Sequence, residues 1–243
     1  ILFDDKGFDG CIIKIGRKFS DFEFSGNKCS VDAGHWIPSL VIKIAKIGFS
    51  GLEHAIGIPA SLGGLVLMNG GSNRKNISEY IRSVVILDKN VSLRVDEKID
   101  CGFGYRMSRY QKSSDIVVKG NFTFKEKENY NRQRRKMLKI LKERNSKFPR
   151  KLPSCGSVFK STPELYNIYG PPGKVIEDFG FKGLRRGNVQ VSPLHANFIV
   201  NLGGGSSKDI LLLVKDIHKK VYEKTNIRLN TEFLYLHPTC GTS

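Results

Sequence analysis

The segment Phe148-Pro149-Arg150-Lys151-Leu152-Pro153 constrains the fold more than any other part of the sequence. Proline fixes its own φ and has no backbone N–H to donate, so a regular helix cannot continue through two prolines this close together. Residues 130–145, just before them, have apolar residues at helical spacing and predict a helix that must end here. The sequence therefore predicts a linker at this segment, with one domain over residues 1–148 and a second over residues 149–243.

Both predicted domains mix helices with strands. The first is predicted to contain a helix over residues 37–47, ended by Gly48, and strands at 11–15, 28–33, 82–87, 115–118 and 121–124. The second is predicted to contain helices over residues 173–179 and 207–222 and strands at 188–191, 198–200 and 231–236. Ser206 and Asp209 have the spacing of a capping box at the start of the last helix. This pattern is typical of an α+β fold in two lobes.

Length and hydropathy favour a globular protein. A chain of 243 residues, of which 40% are hydrophobic, is long enough to bury a sizeable core. No apolar run approaches the ~20 residues that span a bilayer, and no basic and then apolar leader opens the sequence. We therefore expect a soluble cytoplasmic protein that acts as a monomer and has no membrane partner.

The cysteines do not predict a metal site. Their number is odd, and none of them has the C-x-x-C spacing of a zinc site: they are Cys11, Cys29, Cys101, Cys155 and Cys240. Reduced thiols in structural positions are therefore expected, with neither a bound metal nor a disulfide framework.

A net charge of +17 allows a different class of function, because a basic surface attracts nucleic acid. The cations concentrate on the predicted helix over residues 130–145, from Arg132 to Lys136 and again at Lys139 and Lys142. No zinc finger, RNP motif or aromatic platform accompanies them. The pattern favours the solvated face of an amphipathic helix, and nucleic-acid binding stays an alternative.

A hydroxyl stands next to a glycine at the start of the second domain. Gly156 permits a tight turn, and Val158-Phe159 predicts the start of a buried strand, so Ser157 is expected at the edge of a sheet. Lys160 lies three residues after Ser157, and further cations come later at Lys174, Arg185 and Arg186. A proton donor beside cations suits an anionic substrate. A glycine turn followed by a solvated basic face explains the same residues equally well.

Four motifs, taken in order, carry a resemblance to a known family. They are Gly57-Ile58-Pro59-Ala60-Ser61-Leu62-Gly63-Gly64 with Met68-Asn69, Gly102-Phe103-Gly104-Tyr105-Arg106-Met107-Ser108, Ser154-Cys155-Gly156-Ser157-Val158-Phe159-Lys160, and Gly183 to Asn201. Together they resemble the UDP-N-acetylenolpyruvoylglucosamine reductases, flavoenzymes that produce UDP-N-acetylmuramate for peptidoglycan. The resemblance implies FAD as cofactor, NADPH as reductant, and a nucleotide-sugar substrate. It also implies a FAD-binding domain of the vanillyl-alcohol-oxidase type followed by a smaller α+β substrate-binding domain.

The same resemblance implies a set of site residues. Ser157 matches the family's proton donor, and Arg106 and Glu232 match the residues that assist it. The implied flavin contacts are Gly57, Ile58, Pro59, Ser61, Gly63, Gly64 and Asn69, and the implied substrate contacts are Tyr105, Lys160, Gln190 and Asn197. His195 is expected to be structural, because its motif contains no second ligand or base.

The chain departs from the family in several places. Ser161-Thr162-Pro163 replaces the common Asn-Pro after the lysine, Gly70 to Arg74 replaces Ala-Gly-Ala-Tyr-Gly, and Thr231-Glu232-Phe233 replaces Pro-Glu-Val. The segment Ile1 to Asp5 matches the stretch just after the family's first phosphate loop, so the first lobe of the flavin domain is expected to be absent and FAD to bind weakly to this chain alone.

Two other functions stay open. One is a related flavin oxidoreductase that acts on another nucleotide sugar, which the departures suggest. The other is a non-enzymatic protein that binds anions or nucleic acid, which the charge and the expected loss of a lobe suggest.

Overall fold

The computed structural model describes residues 1–239 and 241–242, and Cys240 therefore lies outside the described residues. These residues form two compact units. The central unit comprises residues 13–144, and the terminal unit comprises residues 1–12 together with residues 145–243. The division lies within a few residues of the predicted linker. Residues 1–12 were expected in the first domain, but they lie in the terminal unit.

The strands and helices are numbered in chain order. The strands are β1 (Leu2–Phe3), β2 (Phe22–Ser25), β3 (Lys28–Asp32), β4 (Gly71–Ser72), β5 (Lys75–Asn76), β6 (Ile81–Leu87), β7 (Leu93–Glu97), β8 (Ile116–Thr123), β9 (Ser154–Ser157), β10 (Arg185–Arg186), β11 (Val189–Val191), β12 (Phe198–Asn201), β13 (Tyr235–His237) and β14 (Gly241–Thr242). The α-helices are α1 (Ile37–Ile47), α2 (Leu62–Leu67), α3 (Tyr130–Lys147), α4 (Pro163–Ile168), α5 (Pro172–Asp178) and α6 (Ser207–Thr225). The α+β class predicted from the sequence is confirmed.

The central unit is built on a five-stranded antiparallel sheet in the order β2-β3-β8-β6-β7. Its core joins side chains of the sheet, such as Val31, Ile86 and Phe122, with the buried residues of α1 and α2. Helix α1 buries apolar residues at helical spacing, including Leu40 and Ile44, and it ends at Gly48, where φ is 95°. A residue with a Cβ adopts that left-handed conformation reluctantly, so the glycine fixes the end of the helix. The predicted helix over residues 37–47 is confirmed at both ends.

Helix α3 has two different faces. Gln133 and Met137 are buried, whereas most of its arginines and lysines are exposed. Arg132 and Lys136 form ion pairs with Glu128, with N···O distances of 3.0 and 2.8 Å. Because these pairs are exposed, they contribute little to stability. The helix with a solvated basic face is confirmed.

The terminal unit contains a four-stranded antiparallel sheet in the order β10-β11-β12-β9, against which α6 packs. The hydroxyl of Ser206 accepts a hydrogen bond from the Asp209 N–H at 3.0 Å and caps α6 as predicted. The carboxylate of Asp5 accepts a second bond from the Ser207 N–H at 2.8 Å. The start of the chain belongs to this unit because β1 pairs in parallel with β13, with Leu2 opposite Tyr235.

Four local predictions need correction. Residues 11–15 form no regular element, and the two strands predicted at 115–118 and 121–124 are one continuous strand, β8, over Ile116–Thr123. Gly120 lies inside that strand because it packs closely: a Cβ there would approach the Phe122 ring at 3.1 Å and Leu62 at 3.3 Å. Of residues 231–236, only the end belongs to a strand, and Thr231 forms an isolated bridge with Phe159. The strand near Val158 ends at Ser157 and does not begin there.

Two further observations bear on the expected class of protein. Within the described residues, no helix has both the length and the apolar character needed to cross a lipid bilayer. Cys11, Cys29, Cys101 and Cys155 are free, and burial raises the pKa of Cys29 to about 12. That thiol is protonated at neutral pH and is therefore inert as a nucleophile.

The burial of three histidines makes the stability of the fold depend on pH. Burial lowers the pKa of His35, His54 and His195 below the ordinary value of 6.5. As the pH falls through 6.5, the unfolded chain therefore binds protons before the folded protein does, and the free energy of unfolding decreases. We expect Tm, measured by circular dichroism, to fall between about pH 7.5 and about pH 5.5.

The variant His54→Asn isolates one contribution. The Asn side chain offers a donor near the Gly51 carbonyl, which lies 3.0 Å from His54 Nδ1, but it cannot titrate. The loss of Tm over this pH range should shrink in the variant. A loss identical to that of the wild type would show that His54 is not one of the groups responsible.

Candidate functional site

The central unit contains a cavity of about 880 Å³ beside the end of β3. Its lining residues are Lys14, Ile15, Gly16, Arg17, Ala33, Gly34, Trp36, Pro59, Ala60, Ser61, Gly63, Gly64, Leu67, Asp115, Ile116 and Val117. Pro59, Ser61, Gly63 and Gly64 are four of the seven predicted flavin contacts. The volume lies within the range of small-molecule and cofactor pockets.

The loop over residues 59–64 is held in place by backbone hydrogen bonds to the chain just after β3. The Gly63 N–H donates to the Ala33 carbonyl at 2.8 Å, and the Leu62 N–H donates to the His35 carbonyl at 2.9 Å. Gly63 approaches Ala33 so closely that a Cβ at this position would lie 3.0 Å from the Ala33 Cβ. Close packing against Ala33 therefore favours glycine at position 63.

Charge and shape together favour an anionic ligand with a flat apolar part. Lys14 and Arg17 contribute two exposed cations to the lining, and Ile15, Leu67 and Val117 contribute apolar surface. The carboxylate of Asp115 is offset by Arg109, with an N···O distance of 2.9 Å. The Asp115 carboxylate therefore does not cancel the positive charge of Lys14 and Arg17, and these two cations can bind an anion.

Lys14, Arg17, Gly34 and Trp36 line the cavity but were not predicted from the sequence. Gly34 gives the clearest signal, because a Cβ there would lie 2.2 Å from the carbonyl oxygens of both Gly16 and Phe19. The loop that carries Lys14 and Arg17 therefore passes directly over Gly34. A single glycine between a buried strand and a helix is the only trace of this approach in the sequence.

The other three predicted flavin contacts do not line the cavity. The Gly57 carbonyl accepts a hydrogen bond from Arg144 Nε at 3.0 Å, and Ile58 packs partly buried against the core. The Asn69 side chain is buried, and its amide Nδ2 donates to the Gly104 carbonyl at 2.8 Å. Gly57 and Asn69 therefore form structural hydrogen bonds within the protein. Their contact with a cofactor stays a prediction.

Arg106 lies at the tip of a tight turn. Gly104 and Met107 exchange backbone hydrogen bonds of 3.0 and 3.2 Å, and Arg106 between them has φ of 52°. Residues other than glycine rarely adopt this backbone conformation, and those that do are concentrated at functional sites. Arg106 Nη2 donates to the Gly71 carbonyl at 3.0 Å, and the guanidinium carbon lies 5.3 Å from the ring centre of Tyr105. Tyr105, a predicted substrate contact, is exposed.

In the terminal unit, Ser157 is the last residue of β9, which is an edge strand of its sheet. The predicted position at a sheet edge is therefore confirmed. Gly156 has φ of 83°, in the left-handed region that favours glycine. The Ser157 side chain forms no hydrogen bond within the described part of the chain. Its hydroxyl is therefore not bonded to the backbone of its own turn.

Ser157, Lys160 and Glu232 are brought together although they are far apart in sequence. The Glu232 N–H donates to the Val158 carbonyl at 2.8 Å, and the Lys160 N–H donates to the Asn230 carbonyl at 2.8 Å. These two bonds align residues 157–160 with residues 230–232. The segments that carry the Ser157 hydroxyl, the Lys160 ammonium group and the half-buried Glu232 carboxyl group therefore lie side by side in the terminal unit.

Asn197 holds the backbone just after Ser157 in place. Its Oδ1 accepts from the Phe159 N–H at 2.9 Å, and its Nδ2 donates to the Phe159 carbonyl at 2.9 Å. Its own carbonyl accepts from the Val158 N–H at 2.8 Å. Both ends of the amide are thus used to fix the backbone beside Ser157. Direct contact of Asn197 with a substrate stays a prediction.

His195 and Gln190 have partners within the terminal unit. The His195 ring lies 5.2 Å from the rings of Phe148 and Phe198, measured between centroids, and burial lowers its pKa. Its Nδ1 accepts a hydrogen bond from the Asn197 N–H at 3.2 Å, so the neutral ring serves a structural purpose, as expected. Gln190 Nε2 donates to the Gly183 carbonyl at 2.9 Å, and its predicted substrate contact is not tested by this geometry.

Comparison with known proteins identifies similar chains. A family model described as UDP-N-acetylenolpyruvoylglucosamine reductase, C-terminal domain, matches residues 148–236. UDP-N-acetylenolpyruvoylglucosamine reductase 1 of Corynebacterium glutamicum is 44% identical over 236 residues, which cover 97% of this chain and 70% of that protein. The corresponding reductase of Alkaliphilus oremlandii is 37% identical over 232 residues, which cover 96% of this chain and 74% of that protein.

A solved structure is similar over most of the chain. The crystal structure of UDP-N-acetylenolpyruvylglucosamine reductase from Thermus caldophilus matches with a TM-score of 0.75 and 32% sequence identity. The match covers 90% of this chain and 75% of that one. The similarity therefore extends across both units and not only over residues 148–236.

Asn197→Ala tests the clamp beside Ser157. The substitution removes both side-chain bonds to Phe159 and leaves two buried backbone groups without partners. We expect the free energy of unfolding, measured with urea, to fall by about 2–4 kcal/mol. Asn188→Ala, at an exposed position in the same unit, is the control and should change it by less than about 0.5 kcal/mol. Equal losses in both variants would contradict the assigned role of Asn197.

Proposed function

The chain belongs to the UDP-N-acetylenolpyruvoylglucosamine reductase family, and from this membership we propose that it uses FAD and NADPH to reduce UDP-N-acetylglucosamine enolpyruvate to UDP-N-acetylmuramate for peptidoglycan synthesis. The reductase named in each relative is an oxidoreductase, and the identity to those relatives covers nearly the whole chain. The cofactor, the reductant and the role of each residue are parts of this proposal.

The observation that carries the proposal is the cavity of the central unit. Four of the residues matched to the family's flavin loop, Pro59, Ser61, Gly63 and Gly64, line it together. Lys14 and Arg17 lie in the same lining, where they would attract the phosphates of FAD. The glycines allow a flat ring to approach the backbone closely, so the donor set and the shape of this cavity fit the cofactor.

The chemistry divides between the cofactor and the chain. When bound, FAD carries two electrons as hydride from NADPH to the terminal carbon of the enolpyruvyl double bond. The adjacent carbon then needs a proton, and Ser157 is assigned to donate it. The position of Ser157 supports this role, because β9 and the Asn197 clamp fix its backbone while its hydroxyl makes no hydrogen bond within the described residues.

Arg106 and Glu232 are assigned to the charge that develops during this step. The carboxylate of the substrate gains negative charge as the double bond is reduced, and a guanidinium can bind it through two parallel hydrogen bonds. The strained backbone at Arg106 supports a functional role for this residue. Glu232 is assigned to proton delivery with Ser157, because the Glu232 N–H is bonded to Val158 next to the serine.

One departure from the family has a structural explanation. Thr162 Oγ1 accepts a hydrogen bond from the Leu165 N–H at 3.3 Å, so it caps helix α4, and Pro163 takes the first helical position. The Ser161-Thr162-Pro163 sequence thus forms a helix start, and it supplies no argument for a different nucleotide sugar.

A size series at Gly64 tests the flavin assignment. A Cβ at this position would meet only Ser61 Oγ, at 3.6 Å, so Gly64→Ala should be tolerated, whereas Gly64→Leu should fill part of the cavity. We expect FAD affinity, measured by fluorescence titration, to fall at least about 10-fold for Leu and much less for Ala. Tm in the absence of FAD provides the control for folding. FAD affinities that do not differ between the two variants would place the flavin elsewhere.

Ser157→Ala tests the proton donor. The flavin-loaded variant should be reduced by NADPH at nearly the wild-type rate, because that half-reaction places no proton on a substrate carbon. Reoxidation by the enolpyruvyl substrate should slow by ~10² to 10⁴-fold, which is the usual contribution of a positioned proton transfer. Stopped-flow absorbance of the flavin separates the two steps. Equal slowing of both steps, or of neither, would make Ser157 a structural turn residue and Glu232 the next candidate.

A further inference from the structure

Asp96, at the end of β7, is a buried carboxylate surrounded by donors. It is 6% exposed, and its Oδ1 accepts from Arg94 Nε at 3.0 Å. Its Oδ2 accepts from Arg109 Nε at 3.2 Å, from Arg109 Nη2 and from the Tyr110 hydroxyl at 3.0 Å. Burial opposes the charged form, but the bonds from Arg109 and Tyr110 outweigh it, so the pKa of Asp96 lies below its ordinary value. The group is therefore a carboxylate at neutral pH.

This carboxylate joins both ends of the turn that carries Arg106. Arg109 and Tyr110 come just after the turn, and Cys101 comes just before it. The Tyr110 hydroxyl lies 3.1 Å from Cys101 Sγ, and the thiol also lies 3.3 Å from the Glu97 carbonyl. Asp96, Tyr110 and Cys101 thus form one buried cluster at the base of the turn, while Arg106 lies at its tip.

Uncharged hydrogen bonds hold the other side of the turn. The Ser108 hydroxyl donates to the Leu67 carbonyl at 2.6 Å, and Gln111 Nε2 donates to the same carbonyl at 3.0 Å. Asn69 Nδ2 donates to the Gly104 carbonyl. These bonds fix the turn against residues 67–69. Ser108 and Gln111 flank Arg109 and Tyr110, which both bind Asp96, so the base of the turn is held both by these bonds and by Asp96.

The same network reaches the cavity. Arg109 Nη1 lies 2.9 Å from Asp115 Oδ2, and Asp115 is part of the lining of the cavity. Arg109 therefore connects a residue at the base of the turn with a residue beside the proposed flavin. A change at Asp96 would remove one of the two carboxylates that bind the Arg109 guanidinium.

We propose that Asp96 is a positioning residue for Arg106: through Arg109 and Tyr110 it holds the base of the turn so that the guanidinium at the tip meets the substrate carboxylate in one orientation. The inference rests on the proposed function, because it takes from there the role of Arg106. A displacement of about 1 Å at a group remote from the chemistry can slow a reaction about 10²-fold, so a positioning role of this kind is measurable.

A kinetic double-mutant cycle tests it with Asp96→Asn, Arg106→Lys and the double variant, each loaded with FAD. Asp96→Asn keeps an acceptor for Tyr110 but removes the charge that binds Arg109. We expect it to slow reoxidation by the enolpyruvyl substrate about 10- to 100-fold and to raise KM for that substrate, with flavin reduction by NADPH nearly unchanged. In the Arg106→Lys background the same change should cost less than about 3-fold, because the group that it positions is already lost.

Asp88→Asn is the matched control. Asp88 lies at the other end of the β6–β7 hairpin, where its Oδ1 accepts from the N–H groups of Asn90 and Ser92 at 2.8 and 3.0 Å. It is thus a structural carboxylate of the same hairpin, and its replacement should leave both half-reactions unchanged. If Asp96→Asn unfolds the protein or releases FAD, Tyr110→Phe removes a single hydroxyl and should show the same pattern with a smaller magnitude.

The outcomes separate this inference from the function on which it rests. If the effects of Asp96→Asn and Arg106→Lys multiply in the double variant, Asp96 acts through the general fold and the positioning role is overturned. If Tyr110→Phe, used in its place, multiplies with Arg106→Lys, the conclusion is the same. If Arg106→Lys alone leaves reoxidation and KM unchanged, the assignment of Arg106 in the proposed function fails, and the positioning role fails with it.

Discussion

The close contact between the glycine loop over residues 59–64 and the chain after β3 is the constraint on which the central unit depends. The bonds from Gly63 to Ala33 and from Leu62 to His35 join the end of the sheet to the start of α2. A side chain at Gly63 would press against the Ala33 Cβ, so glycine is favoured at this contact. The cavity exists because these two segments meet at this distance, with Gly34 and the Lys14–Arg17 loop on its other side.

Local signals in the sequence predicted α1, α3, α5 and α6, but they did not predict the short helices α2 and α4 or the long-range strand pairings. Helix α1 was predicted at both ends, because its buried apolar positions lie within the helix and Gly48 follows it directly. The pairing of β1 with β13 was not predicted, since Leu2 and Tyr235 share no signal in the sequence. The continuity of β8 was missed because Gly120 looks like a strand break, whereas its role depends on Leu62 and Phe122 packed against it.

The candidate site was predictable only in part, for the same reason. The resemblance to the reductase family supplied Arg106, Ser157 and Glu232, which spacing alone could not have selected. The backbone bonds that align Ser157 with Glu232 span a long stretch of sequence and appear only in the structure. The two bonds from Asn197 to Phe159 were not predicted from the sequence, and the expected contact of Asn197 with the substrate stays a prediction. Lys14 and Arg17 belong to none of the sequence motifs, and only the structure shows that they line the cavity.

The pairing of β1 with β13 has a consequence for biosynthesis. Because Leu2–Phe3 lies beside Tyr235–His237, the terminal unit is discontinuous in sequence and contains residues made both before and after the whole central unit. Residues 13–144 contain all the strands of the five-stranded sheet and can fold while the rest of the chain is still being synthesised. The segment at residues 1–12 must wait for its partner strand until Tyr235–His237 has left the exit tunnel. During that interval Leu2–Phe3 lacks its partner strand, and unpaired strand edges are prone to aggregation.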